Sequence, residues 1–157
     1  MNHLLKGETA HGHAEAVRCG DQEIAEGCET LTDHLFRAGA ILAAIFGGAK
    51  PRVSLDQGTI DRLEQRIDRI CDDLAPLSCF IAPGGSELAA RLHQARATAR
   101  RAEGAVVSGL DRARHDGQPE EAAATVLRYL NRLSDCLFAL ARQANHNAGV
   151  EDRPWAP

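Results

Sequence analysis

Aromatic side chains are scarce in this chain: four Phe, one Trp and one Tyr make up 4% of its 157 residues. A core must then be built from aliphatic side chains and alanine, which the 44% hydrophobic content can supply. That composition suits helix-on-helix packing better than a sheet sandwich, whose pleated faces favour β-branched and aromatic residues. A basic excess is also missing. Eighteen Lys and Arg stand against 22 Asp and Glu, a net charge of −4, so nothing is arranged to track a nucleic-acid backbone. No apolar run approaches the roughly 20 residues of a membrane span, and Met1-Asn2-His3-Leu4-Leu5 does not read as a signal peptide. The expectation is a cytoplasmic protein with neither a nucleic-acid nor a membrane partner, forming a single domain over residues 1–157. The five cysteines, Cys19, Cys28, Cys71, Cys79 and Cys136, are odd in number and include no Cys-x-x-Cys. A disulfide framework and a zinc knuckle are both unsupported. Cys28, Cys71 and Cys136 fall on or beside apolar stripes and read as small buried thiols.

Residues 1–20 show no clean hydrophobic period and read as a mobile terminus. Their histidines (His3, His11, His13) lack the cysteine or carboxylate company of a metal site, and no metal site is expected. Beyond them, apolar residues recur at spacings of three and four, which predicts four helices. They are expected over Asp21–Phe46, Asp56–Ala75, Glu87–His115 and Glu120–Asn145. Asp21 and Ser54 or Asp56 can cap the first two. Gly47-Gly48 and Pro51 stop the first, and Pro76 stops the second. The third fades before Gly117, and Pro119 with Glu120 and Glu121 suits the start of the fourth. Residues 150–157 read as a tail. The result is an all-α helical bundle.

The stretch from Cys79 to Glu103 carries the most chemistry. It joins an apolar plug (Phe80-Ile81-Ala82) to a tight turn (Pro83-Gly84-Gly85), a cap (Ser86) and a long helix. On that helix His93, Arg96, Arg100 and Glu103 follow the buried stripe one position later, about 100° around the axis. A similar polar stripe on the next helix carries Asn131, Asp135 and Arg142, with Phe138 among them. The residues alone leave two readings open. The flank is a solvated, salt-bridged face, or its two guanidinium forks, one turn apart, grip phosphate oxygens. Phe80 is likewise either a core residue under a loop or a functional aromatic.

The words Phe80-Ile81-Ala82-Pro83-Gly84-Gly85-Ser86, Leu92-His93-Gln94-Ala95-Arg96, Arg100-Arg101-Ala102-Glu103 and Tyr129-Leu130-Asn131-Arg132-Leu133-Ser134-Asp135 occur in this order. Together they resemble the PduO-type corrinoid adenosyltransferases over roughly Leu31 to Asn145. The resemblance implies transfer of the 5′-deoxyadenosyl group of ATP to cob(I)alamin by a homotrimer with active sites between subunits. ATP, cobalamin and Mg2+ are the implied cofactors, and a reductase and an adenosylcobalamin-dependent enzyme the implied partners. Arg96 and Phe80 take the catalytic roles. Arg96, Arg100, Glu103 and Asn131 meet ATP, with Glu103 orienting Arg100. Phe80, Ile81, Pro83, Gly84 and Gly85 meet the corrinoid, the Phe80 ring filling its lower face so that cobalt becomes four-coordinate. His93 is read as a packing or hydrogen-bonding residue, and Asp135 and Arg142 as partners within the bundle that support Asn131. The family's N-terminal parts, a Gly/Thr-rich phosphate segment and a helix with an acidic residue for Arg96, are not evident before Leu35-Phe36. The alternative is therefore a degenerate homologue that binds or delivers cobalamin, or a purely structural bundle.

Overall fold

Five helices account for most of residues 2–113 and 120–155, the residues described by a computed structural model of the chain. They are α1 (Asn2–Cys19), α2 (Gln22–Phe46), α3 (Gln57–Asp72), α4 (Glu87–Ala113) and α5 (Glu120–Asn147). Among the described residues there is no strand, only one isolated antiparallel bridge between Ile81 and Pro154. The expected caps form. Asp21 Oδ1 accepts from Ile24 N at 3.1 Å, Asp56 Oδ1 from Thr59 N at 2.7 Å and Ser86 Oγ from Ala89 N at 3.2 Å. Each satisfies a backbone donor that a helix start would leave unpaired. α3 ends at Asp72, short of the expected Ala75. Pro76 disfavours helical angles in the residue before it, and the Ala75 carbonyl is taken by a side chain of α5. The expected fading of the third helix near His115 and Gly117, and the start at Pro119, lie outside the described residues.

α1 corrects the expectation of a mobile terminus. Its buried face is Leu5, Thr9, Gly12, Glu15 and Ala16, a helical period written mainly in small and polar residues. At Gly12 the helix packs against its neighbours with no room to spare: a methyl there would just touch Cys28 Sγ and Leu92 Cδ2, at 3.4 Å from each. Thr9 donates to Leu5 O at 3.1 Å and receives the Thr32 hydroxyl at 3.2 Å. His13 Nδ1 donates to Ala25 O at 3.0 Å. This histidine therefore bonds backbone. A helix does precede α2, but its two carboxylates do not meet Arg96: Glu8 accepts from Gln94 at 2.8 Å and Glu15 pairs with Arg18.

α5 is the centre of the bundle. It packs against α2, α3 and α4, while α1 lies on α2 and α4. One apolar cluster runs through all five helices and includes Leu5, Leu31, Leu63, Leu92 and Leu133. Cys28 and Cys136 are buried in it as expected, but Cys71 is exposed, on the solvent side of the α3 stripe. Because α3 and α4 both sit on α5, the polar stripe of α5 floors the space between them.

Candidate functional site

The connection from α3 to α4 is held from behind by the last turns of α5. Asn145, 3% exposed, accepts from Ser86 N through Oδ1 at 2.9 Å and donates through Nδ2 to Gly84 O at 3.1 Å. The turn depends on its glycines. Gly84 and Gly85 have φ of 140° and 105°, which side chains rarely tolerate, and a methyl at Gly85 would collide with the Asn145 amide. Phe80 is 83% exposed, which removes the reading of a core residue under a loop. Ile81 is half-buried and pairs with Pro154. A cavity of about 450 Å³ opens beside Ala82, Pro83, Gly84 and Gly85.

Further along α4, Arg96 is half-buried with its guanidinium over the Phe138 ring, 5.0 Å from the centroid. Its Nε is buried and has no hydrogen-bond partner among the described residues. His93, 8% exposed, lies 6.0 Å from the same ring, and its Nδ1 is likewise unpartnered. Burial holds the His93 pKa below the usual histidine range. The Arg96 charge adds to this and Asp152 opposes it. His93 thus packs against Phe138, and burial disfavours its charged form. Arg100 is exposed.

Glu103 does not orient Arg100. Its Oε1 instead accepts from Asn131 Nδ2 across the α4–α5 groove at 3.1 Å. Asn131 Oδ1 accepts from Arg132 at 2.7 Å, and Arg132 pairs with Asp135 at 3.1 Å. The reason is geometric: Asn131 faces Glu103 from the floor of the groove, whereas Arg100 turns to solvent. A cavity of about 440 Å³ joins Glu103, Asn131 and Arg132 to Gln57, Ile60 and Glu64 of α3. Arg142 departs from its expected role too. It pairs with Asp152 at 2.6 Å and donates to Ala75 O at 2.7 Å, so it serves the loop and the tail, not Asn131.

The candidate residues fall in two regions, the Phe80–Gly85 loop and the α4–α5 flank, where Arg96 meets Phe138 and, two turns further along α4, Glu103 meets Asn131. Arg96 lies ten residues beyond Ser86, roughly 15 Å along the helix at 1.5 Å per residue. The residues that sequence reasoning missed are Asn145 and the 152–155 segment. Buried Asn at the end of a helix was the one available signal. No group of three or more His, Cys, Asp or Glu among the described residues is placed to hold a metal.

The Cobalamin adenosyltransferase family profile matches residues 7–144. A corrinoid adenosyltransferase of Mycobacterium leprae is 37% identical over 151 residues, covering 93% of this chain and 76% of that protein. One from Bacillus subtilis is 41% identical over 123 residues, covering 78% of this chain and 59% of that protein. Among solved structures, an alanine-for-phenylalanine variant of a PduO-type ATP:corrinoid adenosyltransferase from Lactobacillus reuteri, complexed with cobalamin and ATP, matches with a TM-score of 0.84. It is 28% identical over 99% of this chain and 82% of that one. The family match begins inside α1, so the likeness reaches the N-terminal helix as well as the loop and both arginines. From α1 to α5, the chain belongs to the cobalamin adenosyltransferase family.

Proposed function

We propose that this chain moves the 5′-deoxyadenosyl group of ATP to the cobalt of a reduced corrinoid, with the α4 arginines on the triphosphate and Phe80 on the corrinoid. Cobalt(I) supplies the electron pair. The cobalt–carbon bond forms at C5′, the carbon–oxygen bond breaks, and triphosphate leaves with the electrons of that bond. The protein then needs neither a nucleophile nor a general base. It must align carbon with cobalt and answer the charge of the leaving group.

The observation that carries this reading is Arg96. A half-buried guanidinium with an unpartnered Nε is costly unless an acceptor meets it. Packing on Phe138 limits its movement, and the fork suits phosphate oxygens. Arg100, one turn on and exposed, adds charge at the same flank. Glu103 and Asn131 already bond each other, which presents a fixed acceptor and donor pair to the nucleotide. Mg2+ binds mostly through substrate phosphates with one or two carboxylates. The described residues offer no larger ligand set.

Phe80 works by what it lacks. An aromatic ring has no lone pair for cobalt, so filling the lower corrinoid face with it leaves the metal four-coordinate and easier to reduce. Its exposure supports a homotrimer in which a neighbouring subunit completes the site against the loop. The shared apolar cluster supports a single domain over the chain. A cytoplasmic setting, with a reductase to supply cobalt(I) and an adenosylcobalamin-dependent enzyme to receive the product, completes the proposal.

Anaerobic incubation with ATP and chemically reduced cobalamin tests it. The expected outcome is growth of the adenosylcobalamin spectrum with release of triphosphate. An unchanged spectrum would remove the catalytic reading, and a stable monomer by sedimentation at micromolar concentration would remove the inter-subunit site.

A further inference from the structure

The segment after α5 is not a free tail. Trp155 N donates to Phe80 O and Ala82 N donates to Arg153 O, both at 2.8 Å. These two bonds flank the Ile81–Pro154 bridge, so the loop and the segment form a short antiparallel pair. In extended pairs, neighbouring side chains point to opposite faces, and a slip of one residue exchanges them. Phe80 is exposed and Ile81 half-buried. The register of this pair therefore decides which of the two side chains faces outward.

One side chain holds that register from both sides. The Arg142 guanidinium bonds the Asp152 carboxylate at 2.6 Å and Ala75 O at 2.7 Å. It thus ties a point shortly before Phe80 to a point shortly before Trp155. The ion pair is largely sheltered, with side-chain exposures of 9% for Arg142 and 20% for Asp152. Shelter strengthens a charge-assisted bond. Asn145, one turn on along α5, fixes the far end of the loop through Gly84 and Ser86.

We infer that Arg142, Asp152 and the 153–155 backbone form a clasp that sets the register of the Phe80 loop and so positions Phe80 against the corrinoid. This rests on the corrinoid role of Phe80 proposed above. Arg142 and Asp152 are positioning residues, since they act through the loop backbone.

The full-length chain tests this with a pair of variants that differ in one hydrogen-bond donor. Trp155→Pro removes the N–H that bonds Phe80 O, and Trp155→Ala keeps it. With ATP bound, conversion of cob(II)alamin to the four-coordinate form is read from its absorption and electron-spin spectra. Trp155→Pro is expected to give about tenfold less of this form than Trp155→Ala, the upper range for one backbone hydrogen bond. The KM for ATP should stay the same in both. Asp152→Asn should raise the KM for corrinoid and not that for ATP, and should speed hydrogen exchange at the Ala82 amide. Asp152→Glu should recover part of the loss. Equal four-coordinate signals in the two Trp155 variants would overturn the inference, as would an ATP defect parallel to the corrinoid one. The cob(II)alamin titration needs no turnover. If the wild-type chain transfers no adenosyl group, the catalytic reading falls, and the spectral comparison still decides for or against the clasp.

Discussion

The Phe80 loop and the Arg96 flank are built in opposite ways. In the loop the backbone is pinned by Arg142, Asn145 and residues 153–155, while the Phe80 side chain, proposed to meet the corrinoid, stands in solvent. On the flank the backbone is ordinary helix, while the side chain is half-buried with a donor unmet among the described residues. Hydrogen bonds within the chain thus shape the loop to present a ring. The flank instead carries charge at some cost to itself. A group that binds a flat apolar macrocycle gains from a rigid mount. A group that stabilises developing negative charge gains from being poorly satisfied beforehand, since its interaction then strengthens in the transition state.

Four predictions follow from this contrast. The largest effect should come from Arg96. Arg96→Ala should lower turnover by about 10²-fold or more, as for other lost transition-state donors, without lowering the denaturation midpoint. Arg96→Lys should fall between, because it keeps charge and loses the fork. Loss of stability matching the loss of rate would mean that Arg96 is a structural residue. The loop should show the reverse pattern. Asn145→Ala leaves Ser86 N and Gly84 O without their partner and should cost about 1–3 kcal/mol in urea unfolding. Unchanged stability would show that the loop does not depend on its mount.

A smaller effect should appear with pH. The His93 pKa is depressed in the fold, first by burial and then by Arg96. The unfolded chain therefore takes up the proton first as pH falls through about 6.5, and stability is lost below that point. Burial depresses His34 in the same direction, so both contribute. Unfolding midpoints compared at pH 7.5 and 5.5 should fall at the lower pH. They should fall less in His93→Gln, and a slope identical to wild type would refute the assignment. The smallest effect is chemical. Burial pushes the Cys28 and Cys136 thiols up to about 12, so both should resist iodoacetamide in the folded chain at pH 8. Exposed Cys71 and Cys79 should be alkylated, and Cys19, whose thiol is raised by partial burial and by its bond to the Glu15 carboxylate, more slowly, with mass spectrometry as the readout.

Sequence alone was enough to find α2 to α5, though not where α3 ends, because their buried faces use mainly Ile, Leu, Val and Ala at helical spacing, and because Asp21, Asp56 and Ser86 cap as their side chains allow. The motif words were equally local: each of the candidate ATP and corrinoid residues lies within a few positions of its word. α1 escaped because its buried positions, Leu5, Thr9, Gly12, Glu15 and Ala16, include one large apolar residue. Hydrophobic period cannot report a face whose burial comes from close approach, and only the neighbouring helices make Thr9 and Gly12 interior residues.

What the tertiary structure decided is which groups meet. Glu103 had Arg100 within reach on its own helix, yet it bonds Asn131, because α4 and α5 bring those side chains together. Arg142 looked like a bundle residue, and only the return of the chain after α5 places Asp152 beside it. The exposure of Phe80 belongs to the same class. Its neighbours suit a buried plug, and only the fold, in which its loop pairs with residues 153–155, shows it exposed. Helical spacing is set by backbone geometry that every residue shares, so it can be read along the chain. Contacts between Gly84, Asn145 and Ser86, or between Ala75, Arg142 and Asp152, join distant segments, and they exist only once the packing of α3, α4 and α5 has fixed the distances.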